Sequence, residues 1–211
     1  MRESKRGGCT HLFGHAGKNV RGYSLVELLV VLGIIALLTV ISLPYLVNYT
    51  KMYKSEDQAI KVMDLMRETA QLALNRRRTI RFELDRSNAA RPQARIIDEN
   101  NGGTAIVIKS IPLEPLNEVR MDVPSGITPP NPPNYANIGY LANVWSARFR
   151  SDGTVVNAAN TPISATLYSW PPAAGGSTPR RMQEVRAITI FGGSGAVRYW
   201  KYNGSSFVPY Q

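Results

Sequence analysis

Cysteine and histidine are almost missing from this chain. Its 211 residues include one cysteine, Cys9, and two histidines, His11 and His15, all of them before Gly22. A chain that starts after Gly22 therefore has neither residue. No disulfide forms within it, the usual soft-metal sites are excluded, and Ser-His-Asp, Cys-His and histidine acid–base schemes disappear. No D-x-D-x-D-G run supplies an oxygen-only calcium loop. The sequence thus offers no catalytic residue, no metal site and no cofactor. Acids are also in short supply, with 15 Asp and Glu against 25 Lys and Arg, a formal charge of +10. Such a balance suits nucleic acid, lipid headgroups or an acidic protein as partner, without specifying a fold. The length is that of one ordinary domain and little more.

What the sequence does have is a long apolar run. Residues 28–50 are 23 in a row without a charge, and ~20 helical residues at ~1.5 Å each cross the ~30 Å hydrocarbon core of a bilayer. A secretory signal peptide has a shorter apolar core, ~7–15 residues, followed by a small-residue cleavage site. This run ends instead in Pro44-Tyr45-Leu46-Val47, and an uncleaved span is the better reading. Lys18 and Arg21 just before it keep the amino end cytoplasmic and place the rest outside. Glu27 stands near the entrance. Ser24-Leu25-Val26-Glu27 fits the S-x-x-E capping box, in which side chains satisfy free amides of the first helical turn. An acid there also suits the helix dipole. A cap normally lies in water, however, and an ionisable group in a membrane helix usually has a partner. The next cation along the chain is Lys51, so the partner of Glu27 is sought on another molecule.

The segment resembles the amino terminus of the type IV pilin superfamily. Gly22 stands where a prepilin peptidase cuts, and Tyr23 where the new, N-methylated terminus forms. Ser24-Leu25-Val26-Glu27-Leu28-Leu29-Val30-Val31 follows the family's opening, Glu27 takes its acidic position, and Pro44 its common helix-interrupting proline. The resemblance implies that Glu27 meets the terminal amine of a neighbouring subunit during assembly, a pairing that a low-dielectric bundle rewards and whose loss it penalises. It also implies, as partners, the prepilin peptidase, other pilin or pseudopilin subunits, an inner-membrane assembly platform and the lipid bilayer. The leader, residues 1–22, is longer than the short basic leaders common in the family. The expected layout is a membrane half of the helix over 23–47, an amphipathic half over 48–75 and a β-rich periplasmic head over 76–211.

In the second half of the helix, Ala59/Ile60, Met63, Met66, Ala70 and Ala73/Leu74 recur at three- and four-residue steps, with charges on the other faces. That stripe is read as a face covered by a sheet; a partner groove is the rival. Gly33 and Pro44 are the weak points of the helix, proline because it removes a backbone bond and kinks it. From Thr79 the period becomes two. Strands are expected over 79–85, 94–98, 104–111, 118–123, 144–150, 155–157, 163–170, 185–191 and 196–202. Turns are expected at 99–103, 151–153 and 192–195, and the proline-rich stretches 124–133 and 171–179 read as surface loops. Helix first, then strands, gives an α+β domain with the sheet packed on the amphipathic half of the helix. Within the superfamily this pattern is similar to the minor pseudopilins and minor pilins of the GspH/FimT group.

Gly192-Gly193-Ser194-Gly195 lacks the Gly-Lys-Ser/Thr ending of a phosphate loop and is read as a hairpin turn. Arg81, Glu83 and Asp85 share a strand face and are read as an ion-pair ladder. Arg198-Tyr199-Trp200-Lys201-Tyr202 mixes cations with aromatics, so Arg198, Trp200 and Lys201 are the candidate nucleic-acid contacts. Some related minor pilins bind DNA with a Gly-Arg-x-Arg near the end, of which Gly195-Ala196-Val197-Arg198 keeps one arginine. Alternation splits the set, with Arg198, Trp200 and Tyr202 on one face and Tyr199 and Lys201 on the other. The expected function is a structural subunit, a minor pilin or pseudopilin of a pilus or secretion pseudopilus, with a DNA-uptake minor pilin as the alternative.

Overall fold

The computed structural model describes residues 23–99, 104–130 and 135–210, with Pro44, Val47 and Asn48 by backbone alone. Gly22, the leader with Cys9 and both histidines, and all but Glu99 of the turn expected at 99–103 lie outside the described residues. The architecture is α+β: one long helix, then ten short strands. Two units divide at Pro44 and are taken separately.

Helix α1 runs from Leu25 to Arg76, 52 residues, and its assignment continues through Gly33 and Pro44. It ends because Arg77 turns left-handed at φ 53°. Arg78 N–H then reaches back to Ala73 O at 3.2 Å and Arg77 N–H to Leu74 O at 3.3 Å, the Schellman pattern that satisfies the last carbonyls. An arginine fills the position where glycine is usual.

Five strands follow the antiparallel order β3-β2-β1-β5-β6: β1 (Ile80–Asp85), β2 (Gln93–Asp98), β3 (Ile106–Pro112), β5 (Val144–Phe149) and β6 (Val155–Val156). β4 (Ala136–Asn137), β7 (Ala165–Ser169), β8 (Arg186–Ile190), β9 (Val197–Tyr202) and β10 (Phe207–Pro209) form a second sheet, ordered β10-β9-β8-β7-β4. All its pairs are antiparallel except β4 with β7. The single sheet expected from the sequence is therefore two.

The amphipathic half of α1 covers the inner faces of both sheets. Ala59, Val62, Met63, Leu65, Met66 and Ala73 join Ile80, Phe82 and Leu84 of β1, Leu167 of β7, and Ile188 and Ile190 of β8 in one core. Ile60 and Leu74, which the stripe included, are exposed, while Val62 and Leu65, which it left out, are buried. The buried face is also part polar. Gln58 accepts the Glu114 amide at 2.6 Å, and Ser169 donates to the Ser55 carbonyl at 3.0 Å. A second core lies on the outer face of the second sheet, where Tyr168, Trp170, Val185, Ala187 and Trp200 pack with Ile127 and Phe207.

The segment 118–123 is not a strand. Glu118 and Val119 fold back in a turn onto the Pro115 carbonyl, leaving Arg120 opposite Trp170 as an isolated bridge. The proline-rich loops are not wholly surface either: Pro124, Pro130, Pro171, Pro172 and Pro179 are buried.

Candidate functional site

The amino-terminal unit presents a helix that no described residue covers. Leu25–Leu43, 19 residues, is long and apolar enough to cross a membrane, and its described side chains are all exposed. Thr39 and Ser42 hide their hydroxyls by donating to the Ile35 and Leu38 carbonyls at 2.7 and 2.9 Å, which keeps the surface of the span apolar. Gly33 adds a shallow spot, since a Cβ there would meet no atom within 4 Å.

Ser24 caps α1, its hydroxyl accepting the Glu27 amide at 3.1 Å. That is one half of the capping box, the Ser-to-amide half. Glu27 is exposed on the first turn, and Tyr23 precedes the cap with 83% of its surface free. The acid and the residue expected to become the new terminus thus stand within one turn of each other at the open end of an uncovered helix. Among the described residues Glu27 has no ion pair, and ionisable groups in membrane helices usually have a partner.

The candidate nucleic-acid residues are not brought together as a set. Parity divides them as the sequence predicts, but burial does not follow. Arg198 is exposed on the outer face of the second sheet, in a cleft with Trp200, Tyr135 and Phe191. Trp200 is 6% exposed, and its indole N–H donates to Thr189 Oγ1 at 2.9 Å. Lys201 turns to the inner face, 2.6 Å from Glu56 of α1 and 3.8 Å from the centre of the Tyr210 ring. Glu56 also receives Arg186 at 3.2 Å. Other members of the basic clusters are paired within the chain, the exposed Arg76 and Arg78 with Asp98 and Arg180 with Glu184. A ladder lies on the outer face of the first sheet, wider and less solvated than the Arg81, Glu83 and Asp85 set read from the sequence: Arg81 pairs with Glu83 and Glu99, Arg95 with Glu83 and Asp85, and Arg148 with Glu99.

Gly192-Gly193-Ser194-Gly195 is a turn between β8 and β9, closed by the Gly195 amide on the Phe191 carbonyl at 2.8 Å. Glycine is required there by close approach, because a Cβ on Gly192 would lie 2.5 Å from the Ile163 carbonyl oxygen. Among the described residues no group of three His, Cys, Asp or Glu is placed to hold a metal ion.

A family model described as the prokaryotic N-terminal methylation motif matches residues 17–43. The chain therefore carries the processing signal of type IV pilins and pseudopilins, a pilin-like class of structural subunits. The signal implies cleavage by a prepilin peptidase and assembly with other pilin subunits, and with the apolar helix it fits a single-pass, membrane-anchored chain. No curated protein and no solved structure matches the chain.

Sequence reasoning missed two clusters. Glu56 was one acid among several on the helix until two strands brought Arg186 and Lys201 to it. Lys51, Arg86, Arg120 and Asp122 share a cleft, and they are too far apart in sequence for any spacing to suggest it.

Proposed function

We propose that this protein is a minor pilin or pseudopilin, a structural subunit of a type IV pilus or type II secretion pseudopilus, of the GspH/FimT kind. Prepilin peptidase cuts after Gly22, Tyr23 becomes the N-methylated terminus, and the helix holds the subunit in the inner membrane with its head in the periplasm. The assembly platform then extracts it into the filament. It carries out no catalysis; its work is mechanical. The observation that carries this reading is the apolar helix capped by Ser24 and left uncovered by the described residues, with Glu27 exposed in its first turn and the methylation motif over the same residues.

Assembly follows from the chemistry of that helix. In the bilayer, lipid tails cover the apolar face. In a filament, the same face needs other helices, and an unpaired carboxylate among them is strongly penalised. A neighbour's terminal amine, created only by cleavage, supplies the counter-charge. Glu27 then acts as a register key that admits processed subunits at one axial position. Gly33 and Pro44 give the helix places to adjust during packing.

The test is the terminus itself. Mass spectrometry of the mature protein from a host with prepilin peptidase is expected to find N-methyl-Tyr23 as the first residue. A mature chain that keeps residues before Gly22, or begins at another position, contradicts the proposal.

A further inference from the structure

We propose that the cleft lined by Lys51, Arg86 and Arg120 holds the phosphate of an anionic lipid headgroup. The cleft has a volume of 620 Å³ and lies between α1, the end of β1 and the loop that carries Gly175 and Gly176. Three cations line it against one acid. Asp122 is divided between two guanidiniums, taking Arg86 Nη1 on one oxygen and Arg120 Nη1 on the other at 3.1 Å. Lys51 has no ion pair among the described residues. The nearby acids Glu114 and Glu118 do not correct the imbalance, because both turn to Lys54.

The guanidiniums are held in advance. Arg86 lies 3.7 Å over the Tyr140 ring, and the Nε of both Arg86 and Arg120 is buried without an acceptor among the described residues. Gly176, at φ +79°, leaves room beside Arg120; a Cβ there would stand 3.1 Å from its Nη2. Two fixed guanidiniums with surplus donors and a flexible ammonium fit a phosphodiester oxygen pair.

The choice of a lipid over a free anion comes from position in the chain. Lys51 is the first charged residue after Glu27 and stands eight residues past Leu43. A lysine this soon after an apolar span in the sequence has a stem long enough to reach back toward lipid headgroups. Tyr45, Tyr49 and Tyr53 are exposed at four-residue steps in the same stretch of sequence, on another face of the helix, and the Tyr49 and Tyr53 hydroxyls bond at 2.6 Å. Tyrosines gather at the boundary between lipid and water in membrane proteins. The inference rests on the membrane-resident subunit proposed above and adds the lipid class it prefers.

The test uses the full chain in detergent with equal amounts of phosphatidylglycerol and phosphatidylcholine, read by native mass spectrometry. The expected result is an excess of phosphatidylglycerol adducts that falls about fivefold in Lys51→Gln and again in Arg120→Gln, from the usual strength of one cation at an anionic surface. Lys109→Gln, which removes a cation paired with Glu68 elsewhere, is expected to leave the excess unchanged. Lys51→Gln breaks no ion pair among the described residues, so its result does not depend on whether Arg120→Gln folds. Equal binding of the two lipids, or an excess that survives both variants, overturns the proposal. Inorganic phosphate that competes as well as the lipid overturns the lipid assignment and leaves a free-anion site. Recovery of the chain from the membrane fraction is scored separately: a membrane-bound chain without lipid preference removes this inference alone.

Discussion

At the scale of single residues, Glu56 shows how the head uses its charges. Arg186 and Lys201 are cross-strand partners in the register of β8 and β9, and both reach down to this one carboxylate on α1. Burial by itself pushes the Glu56 carboxyl up. The hydrogen bonds and charges of Lys201 and Arg186 outweigh it and leave the group below its ordinary 4.5. A carboxyl depressed in the folded state contributes stability above its unfolded pKa that is lost as pH falls through the folded value. Urea midpoints measured against pH are therefore expected to drop below about pH 4.5, and Glu56→Gln is expected to make that drop shallower. At pH 7 the substitution leaves the almost fully buried Arg186 short of a partner and costs about 2–3 kcal/mol, somewhat under the loss for a fully buried pair. An unchanged midpoint at pH 7 contradicts the assignment. Nothing in the sequence pointed to Glu56, because its contact with Arg186 spans 130 residues and the one with Lys201 is longer still.

At the scale of elements, the helix has a sharply defined inner face. Leu65 is 2% exposed in the main core, and Leu74, two and a half turns on, is 50% exposed. Leu65→Ala is expected to cost about 2–5 kcal/mol, the range for emptying a packed leucine site. Leu74→Ala is expected to stay within about 0.5 kcal/mol, as surface changes do. Thermal or urea melts of both variants check the pair, and similar losses for the two contradict the face. The Met and Ala stripe was legible because Met63, Met66, Ala59 and Ala73 keep helical spacing; its edges were not, because Ile60 and Leu74 are as apolar as their buried neighbours. The strands were legible for a parallel reason. Ile80, Phe82 and Leu84 alternate with Arg81, Glu83 and Asp85, and β1 follows that pattern residue by residue. β7 and β8 are buried on both faces, although Ala165, Leu167 and Thr189 still alternate in type with their neighbours. Alternation failed at 118–123, where the turn on Pro115 makes Arg120 a bridge to another loop. It also failed for β4 and β10, two and three residues long, too short to carry a period.

At the scale of the molecule, the two units differ in what they need from their surroundings. Both cores are built from residues beyond Tyr45, and the described side chains of 23–43 contribute to neither. A fragment starting at Tyr49 is therefore expected to stay soluble and unfold in one transition, with the midpoint of the full chain in detergent. A fragment that fails to fold, or a midpoint well below that of the full chain, contradicts the separation. The helix before Pro44 has the opposite character. Its surface is satisfied only by lipid or by other apolar helices, which is why the signal at its start was legible in the sequence alone. A motif of eight residues around one acid is local, whereas the cleft at Lys51 depends on three distant segments meeting.

Incorporation into filaments with Glu27 altered tests the account most directly. Glu27→Gln keeps the size of the side chain and leaves the Ser24 cap and both cores untouched. The variant is expected to be cleaved, to remain in the membrane and to fold its head as the parent does, yet to fall sharply in the sheared filament fraction. Equal recovery of variant and parent from the filaments would contradict the claim that this carboxylate finds its counter-charge on another subunit.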